Sequence, residues 1–236
     1  SHHGNVVKLV WELLRDAGYK QIITLHGMYE AIETSDLISL LDNVTQTCDT
    51  FAYIAEKNLE PFKEYGYYNH CHFVKVANGL VPGCPAPVPR SAFQVPDDAF
   101  LLCLVSRARF DKGWLEAVQA VILANKSSKR PIHLVMVGDG EAYKKVCEIE
   151  SPYIHTVGAR SNPRAYFAAS DMGFLPSRFS GESFPLTVIE SLMCGKPVLA
   201  TNIGEIENQI TLPDGRQAGV LFSLQEGKIP VEKVSQ

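Results

Sequence analysis

Two glutamates frame the start of an apolar stretch in the last third of the sequence. Glu182 and Glu190 are eight positions apart, and Pro185 lies between them. Proline suits the first turn of a helix, so a helix is expected to begin near Phe184 and to carry Glu190 roughly 9 Å along its axis. Two carboxylates at this spacing cannot share a proton. They would instead address different parts of one extended ligand.

The surroundings of the two glutamates differ. Glu190 follows apolar residues on the predicted helix, where burying a carboxylate is costly unless a partner hydrogen-bonds to it. This favours a ligand contact for Glu190. For Glu182, a solvated acid in a loop is an equal alternative.

Cations cluster in an earlier loop. Residues 106–113 read Ser-Arg-Ala-Arg-Phe-Asp-Lys-Gly and stand between an apolar run and the start of a predicted helix. Guanidinium groups beside a helix N-terminus suit a diphosphate, since fixed N–H donors and positive charge meet a dianion without reorganising. The alternative is a solvated basic turn. A third loop, Gly138-Asp139-Gly140-Glu141, falls short of a nucleotide fingerprint and is equally well explained as a turn that needs positive φ.

The elements that must position these loops alternate between strand and helix in the second half of the chain. This pattern predicts a doubly wound parallel sheet, with ligands bound beyond the carboxyl ends of its strands. The predicted strands are 100–105, 132–137, 153–157, 171–175, 197–200 and 218–222, and the predicted helices are 113–125, 140–149, 162–169 and 184–194.

The first half shows a shorter alternation. Helices are predicted over 5–17, 33–41 and 50–65, and strands over 21–25, 44–48 and 73–76. Prolines crowd the stretch between Asn78 and Pro96 and leave little room for regular structure. We therefore expect an α/β chain with an incomplete N-terminal domain (1–80), a linker (81–97) and a C-terminal domain (98–236).

The composition and net charge of the chain argue against several classes of function. A net charge of −4 and a pI near 6.0 argue against a general nucleic-acid binder, which needs a basic face. The longest apolar runs are far shorter than the ~20 residues of a membrane span. Six cysteines without a CxxC pair favour a reduced, cytoplasmic setting.

The run from Pro176 to Ala200, with its two glutamates, strongly resembles the signature of family 4 glycosyltransferases, which are retaining enzymes of the GT-B fold with two Rossmann-like domains. Arg107 and Lys112 resemble that family's diphosphate-binding cations. The Asn78-Gly79 pair is similar to its interdomain turn, and Ile22 to Gly27 is similar to its strand with an active-site histidine.

The resemblance implies roles for individual residues. Arg107 and Lys112 would hold the donor diphosphate, Glu190 the ribose hydroxyls and Glu182 the transferred sugar, while His26 would approach the reacting face of that sugar. The remaining implied donor contacts come from a loop that meets the base and from the backbone around the predicted helix start: Gly158, Arg160, Ser183, Phe184, Pro185, Leu186 and Thr187.

The sequence departs from the family pattern at three positions. Ser106 and Pro185 stand where glycine is frequent, and Glu205 stands where a second glycine often follows Gly204. Pro185 removes one N–H donor to the ligand. The glycine-rich acceptor loop of the family is absent from these residues, so the acceptor is left unassigned among glycans, glycolipids and small molecules.

The implied reaction is a retaining transfer, of the hexosyltransferase type, from a nucleoside-diphosphate sugar to an acceptor hydroxyl. Cations and a helix dipole would stabilise the leaving diphosphate, and the lack of a DxD-type motif predicts that no metal or other cofactor is needed.

Alternatives to this transfer reaction are a non-catalytic nucleotide-sugar-binding module and a GT-B epimerase or hydrolase. A dinucleotide oxidoreductase is disfavoured because no GxGxxG is present. A role in polysaccharide biosynthesis, with peripheral contact at the inner face of a membrane, is left open.

Overall fold

The computed structural model describes residues 17–27 and 32–236, so the helix predicted over 5–17 lies outside the described residues except at its last position. The chain divides into two compact units. The first unit comprises Ser1–Asn78 together with Ser180–Phe184, and the second comprises Gly79–Phe179 and Pro185–Gln236.

The first unit is built on a three-stranded parallel sheet with the strand order β1-β2-β3. Its strands are β1 (Ile22–Leu25), β2 (Thr50–Tyr53) and β3 (Phe73–Lys75), and its helices are α1 (Thr34–Thr45) and α2 (Glu60–Glu64). Short 3₁₀ turns occupy Glu56–Leu59 and Tyr68–His70. The alternation of strand and helix in this unit therefore agrees with the expected fold class.

Two predicted elements of the first unit are wrong. The strand predicted over 44–48 is the end of α1 and the turn after it, where Thr45 Oγ1 donates to Leu41 O at 2.7 Å. The helix predicted over 50–65 is β2 followed by two short helical turns. The reason lies in Phe51, which is fully buried against Phe62 and Phe73, with ring centroids 5.1 and 5.4 Å away. This aromatic packing outweighs the helical pattern of the sequence.

The second unit contains a six-stranded parallel sheet with the order β6-β5-β4-β7-β8-β9. Its strands are β4 (Phe100–Val105), β5 (Ile132–Val137), β6 (Ile154–Gly158), β7 (Met172–Leu175), β8 (Val198–Thr201) and β9 (Gly219–Phe222). Its helices are α3 (Trp114–Ala124), α4 (Glu141–Cys147), α5 (Arg164–Ala169), α6 (Leu186–Met193), α7 (Ile206–Ile210) and α8 (Val231–Val234). All ten predicted elements are confirmed with small shifts at their ends, whereas α7 and α8 were not predicted.

Both faces of this sheet are covered. Along β4, Leu102 and Leu104 pack into one apolar cluster, while Leu101 and Cys103 pack into another. Burial raises the pKa of the Cys103 thiol well above its usual range, so this cysteine packs as a small apolar side chain. All six cysteines are free thiols.

The strand order reverses between β4 and β7. From β4 the sheet grows outward to β5 and β6, and from β7 it grows in the opposite direction to β8 and β9. Ligands of open parallel sheets bind at such a switch point, beyond the carboxyl ends of the strands. The loops that follow β4 and β7 therefore flank the expected binding position.

Candidate functional site

The loop after β4 presents cations in two different environments. Arg107 is exposed and makes no ion pair or side-chain hydrogen bond with the described residues. Lys112, at the end of a 3₁₀ turn, is only 7% exposed, and its Nζ lies 4.3 Å from the centroid of the Phe179 ring. A cation over an aromatic face is attracted by the ring quadrupole. Phe179 therefore helps to fix the position of Lys112.

Arg109, the third cation of this loop, is bound within the loop itself. Its guanidinium pairs with both carboxylate oxygens of Asp111, at 3.0 Å from Nε and 2.5 Å from Nη2, and lies 5.0 Å from the Phe179 ring. A forked pair of this kind fixes the side chain strongly. Arg109 is thus part of the framework that supports Arg107 and Lys112.

The loops after β4 and β7 lie in direct contact. The backbone N–H of Arg178 donates to Asp111 O at 2.8 Å. Gly113 has φ +73°, and a Cβ at that position would come within 1.8 Å of Pro176 O. Only glycine allows this approach, and it brings the chain that leaves β7 against the end of the cationic loop.

A cleft of about 280 Å³ opens at the carboxyl ends of β4, β5 and β6. Arg107 and Arg160 line it together with Gly138 and Asp139. Arg160 is oriented by Tyr166, whose hydroxyl accepts a hydrogen bond from Nε at 3.2 Å. Gly158 lies beside the cleft, where its carbonyl accepts the N–H of Gly138 at 3.0 Å.

Helix α6 begins at Leu186, two residues later than predicted, because Pro185 adopts an extended ψ of 122° and stands immediately before the first turn. The carbonyl of Pro185 accepts a hydrogen bond from Gln209 Nε2 at 3.1 Å. Leu186 is exposed and Thr187 is half-buried. The start of the helix is thus anchored by its neighbour α7.

Glu190 is a half-buried carboxylate on α6. Burial raises its pKa, and the positive charge of Arg164 on α5 opposes that rise. The carboxylate accepts no hydrogen bond from the part of the chain that the structure describes. A desolvated carboxylate of this kind is strongly disposed to accept hydrogen bonds from a ligand.

The remaining sequence-predicted residues lie in the first unit. His26 directly follows β1 and is exposed, while Glu182 is half-buried. Ser183 is buried, and its Oγ donates to His26 O at 3.2 Å. The carbonyl of Phe184 accepts from Asn78 Nδ2 at 3.4 Å, which joins two segments that the resemblance had singled out separately.

The predicted residues fall into two groups, one in each unit. The group in the second unit lies in the loop after β4, at the end of β6, and on or just before α6, and it contains Arg107, Lys112, Gly158, Arg160, Pro185, Leu186, Thr187 and Glu190. The other group, in the first unit, contains His26, Glu182, Ser183 and Phe184. Sequence reasoning missed three residues that support these groups: Asn58, Arg164 and Phe179. Phe179 stands next to Arg178 within the run that resembles the family signature, whereas Asn58 and Arg164 carried no signal in the sequence.

Within the described ranges, no group of three or more histidine, cysteine or acidic side chains is arranged to hold a metal ion. None of the described helices has the length and apolar character required to cross a membrane.

Comparison with known proteins identifies the family. A family model described as Glycosyl transferases group 1 matches residues 99–231, which is more than half of the chain. The chain belongs to this family. Among curated proteins, this group 1 member is 28% identical over 119 residues to the O-antigen biosynthesis glycosyltransferase WclY of Escherichia coli, an alignment that covers 48% of this chain and 32% of the relative.

Solved glycosyltransferase structures share the fold of this group 1 chain. HepE from Anabaena, in complex with UDP and glucose, superposes with a TM-score of 0.76 at 17% identity over 98% of this chain and 65% of HepE. The pneumococcal O-GlcNAc transferase GtfA, in complex with UDP and GlcNAc, superposes with a TM-score of 0.71 at 18% identity over 97% of this chain and 46% of GtfA. These matches establish the GT-B type of α/β fold with parallel sheets. The chain spans less than two thirds of each of these relatives.

Proposed function

We propose that this chain forms the donor-binding part of a retaining glycosyltransferase of family 4, which transfers a sugar from a nucleoside-diphosphate sugar to an acceptor hydroxyl. The observation that carries the proposal is the exposed Arg107, which follows β4, one of the two strands at the switch point, and lines the cleft at the carboxyl ends of β4, β5 and β6. A diphosphate in this cleft would meet a guanidinium that is free to bind it in a forked geometry.

The other donor contacts follow from the chemistry of the side chains. Lys112 adds a second positive charge to the same loop, and Arg160 also lines the cleft, with Gly158 two positions before it in the chain. Glu190 lacks a hydrogen-bond donor among the described residues, and the two hydroxyls of a ribose would supply donors to its carboxylate. Leu186 and Thr187 in the first turn of α6, with Pro185 and Phe184 before it, would lie against the phosphates and the sugar.

Catalysis in this proposal is mainly electrostatic. Arg107 and Lys112 stabilise the negative charge that develops on the departing diphosphate, which is the role that a metal ion fills in other transferases. We accordingly propose that the reaction needs no metal, in line with the lack of a DxD-type motif. Glu182 binds hydroxyls of the transferred sugar, and His26 approaches its reacting face.

Relatives guide the choice of donor and acceptor. HepE and GtfA were both crystallised with UDP, so UDP is the first nucleotide to test. WclY is named for O-antigen biosynthesis, which makes a glycan or glycolipid our proposed class of acceptor. Such an acceptor would be consistent with peripheral contact with a membrane surface.

Calorimetric titration with UDP, GDP and ADP in the presence of a chelator tests the proposal. One nucleotide should bind to the wild type, and Arg107→Ala and Glu190→Gln should each weaken binding by about 1–3 kcal/mol, the range for losing a charged hydrogen bond. Arg216→Ala and Glu148→Gln serve as matched controls, because both residues form only exposed surface pairs. If the folded wild type binds no nucleotide, the proposed donor site is wrong.

Turnover separates a transferase from the alternatives. Incubation with the matching nucleotide sugar and a panel of glycan acceptors should give a product that keeps the anomeric configuration of the donor, as read by NMR. Binding without turnover would instead indicate a nucleotide-sugar-binding module. Release of free sugar to water, whether or not an acceptor is present, would indicate a hydrolase.

A further inference from the structure

Asn58 is a fully buried polar residue, and it is not among the site residues predicted from the sequence. It lies in the 3₁₀ turn after β2, and its Oδ1 accepts the backbone N–H groups of Ile54 and Ala55 at 3.3 and 2.9 Å. Two donors on one atom identify that atom as the amide oxygen. The orientation of the Asn58 side chain is thereby fixed.

The amide nitrogen of Asn58 consequently faces Ser183. Its Nδ2 donates to Ser183 Oγ at 3.2 Å, and Ser183 Oγ in turn donates to the backbone carbonyl of His26 at 3.2 Å. Because the Ser183 hydroxyl has a single proton, accepting from Asn58 leaves that proton for His26. The three residues form a one-way chain of hydrogen bonds in which the side chains of Asn58 and Ser183 are buried, and burial strengthens such a chain.

Gly27 makes room for this chain. It has φ +92°, and a Cβ there would lie 2.6 Å from Ser183 Oγ and 3.2 Å from Asn58 Nδ2. A side chain at position 27 would therefore displace both partners. The His26-Gly27 peptide and the Ser183 hydroxyl approach each other closely because residue 27 is glycine.

We propose that Asn58 is a positioning residue for the transfer reaction, an inference that rests on the proposed function. Asn58 holds Ser183 in place, and Ser183 lies between Glu182 and Phe184, the residues assigned to the transferred sugar. Through Ser183 it also holds the backbone of His26. A small displacement of reacting groups is costly, since about 1 Å can lower a rate by on the order of 100-fold.

Asn58→Asp isolates this role. An aspartate keeps the oxygen that accepts from Ile54 and Ala55, but as a carboxylate it cannot donate to Ser183 and would instead draw the Ser183 proton away from His26. We expect kcat for sugar transfer to fall by on the order of 10- to 100-fold. Affinity for the nucleotide alone should change less than about twofold, because losing one hydrogen bond at Ser183 leaves the Arg107 and Glu190 contacts intact.

Ser183→Ala removes the same two hydrogen bonds without burying a charge, and it keeps the test decisive if Asn58→Asp fails to fold. It should reproduce the loss of kcat, and the double variant Asn58→Asp/Ser183→Ala should be no worse than either single variant. Asn43→Asp is the control for an added negative charge, since Asn43 is half-buried on α1 and its side chain bonds only to its own helix, at Ser39 O.

The outcomes separate this inference from the proposed function. Undiminished kcat in both single variants, or additive losses in the double variant, would overturn the positioning role while leaving donor binding in place. A wild type that binds nucleotide sugar no better than nucleotide and transfers no sugar would overturn both. Circular dichroism at the assay temperature identifies variants that are merely unfolded.

Discussion

The indole nitrogen of Trp114 donates a hydrogen bond to Ser106 Oγ at 2.9 Å. Trp114 is fully buried at the start of α3, and Ser106 is the position at which glycine is common in the resembling family. A buried indole N–H needs an acceptor, and a glycine could not provide one with a side chain. Ser106 therefore supplies the hydrogen-bond acceptor that the buried Trp114 needs beneath the cationic loop.

Replacing Ser106 by alanine should destabilise the protein. The indole N–H of Trp114 would lose its partner while remaining buried, so the free energy of unfolding should fall by about 1–3 kcal/mol. Urea denaturation followed by tryptophan fluorescence measures this change. Ser161→Ala is the control, because Ser161 is exposed. Equal stabilities of the two variants would show that the bond contributes little.

Gly113→Ala should disturb the contact between the loops after β4 and β7. Two costs combine here, a strained backbone at φ +73° and a Cβ 1.8 Å from Pro176 O. Gly195 has a similar φ of +68° with no atom within 4 Å, so Gly195→Ala measures the backbone cost alone, about 1 kcal/mol. We expect Gly113→Ala to be the more destabilising of the two in thermal unfolding. The loop contact is dispensable if the two variants melt alike.

Phe179→Leu should weaken nucleotide binding if the donor site is as proposed. Leucine fills much of the space of phenylalanine but offers no aromatic face to Lys112, and a partly buried cation–π contact is worth about 0.5–2 kcal/mol. Calorimetry should show an affinity loss of roughly 2- to 30-fold. Phe179→Tyr should retain affinity. Phe110→Leu, at an exposed aromatic position in the cationic loop after β4, should also bind normally.

Stability should fall as the pH is lowered from about 6.5 to about 4. His133 and His155 stack at the start of β5 and β6, with Nδ1 and Nε2 2.9 Å apart, and burial together with the neighbouring ring lowers the pKa of His155 to about 4. The unfolded chain binds the proton first as the pH falls from 6.5, so protonation favours unfolding in this window. Above pH 6.5 both states are neutral and the contribution of the pair to stability is constant.

Urea denaturation at pH 7.5 and pH 5 measures this effect. After allowance for the partial exposure of the ring, we expect a loss of about 1–2 kcal/mol in the wild type. His155→Gln should show a smaller loss, because glutamine does not titrate. His70→Gln, at an exposed position in the first unit, should lose as much stability as the wild type. The same pH dependence in all three proteins would assign the effect to other groups.

The sequence predicted the second sheet better than the first because its apolar runs are long and its turns are well marked. Runs such as 100–105 and 132–137 leave no alternative to buried strands, and both are confirmed. In the first unit, Phe51 lies in a stretch whose local pattern is also compatible with a helix. Its place in a strand is set by contacts with Phe62 and Phe73, which no local pattern reveals.

Residues of the candidate site could be proposed from the sequence where chemistry and spacing coincide. Arg107, Lys112 and Glu190 stand out as charged residues next to apolar elements, and they follow β4 and β7, the two strands at the switch point. Their roles stay predictions. Asn58 could not be found in this way. An asparagine followed by leucine in a short turn gives no sign of the buried hydrogen bond that its amide makes with Ser183, 125 positions further along the chain.

Five residues of the first unit, Ser180–Phe184, lie within the stretch of sequence that otherwise forms the second unit. Recombination between relatives that exchanges everything before residue 79 would replace Gly27 and Asn58 but leave Ser183 behind. In such a chimera, the buried hydroxyl of Ser183 would face residues 27 and 58 of a different family member. Exchange of first units between members of this family is therefore constrained by a handful of residues that a cut at the linker separates, and stable hybrids should carry positions 27, 58 and 183 together.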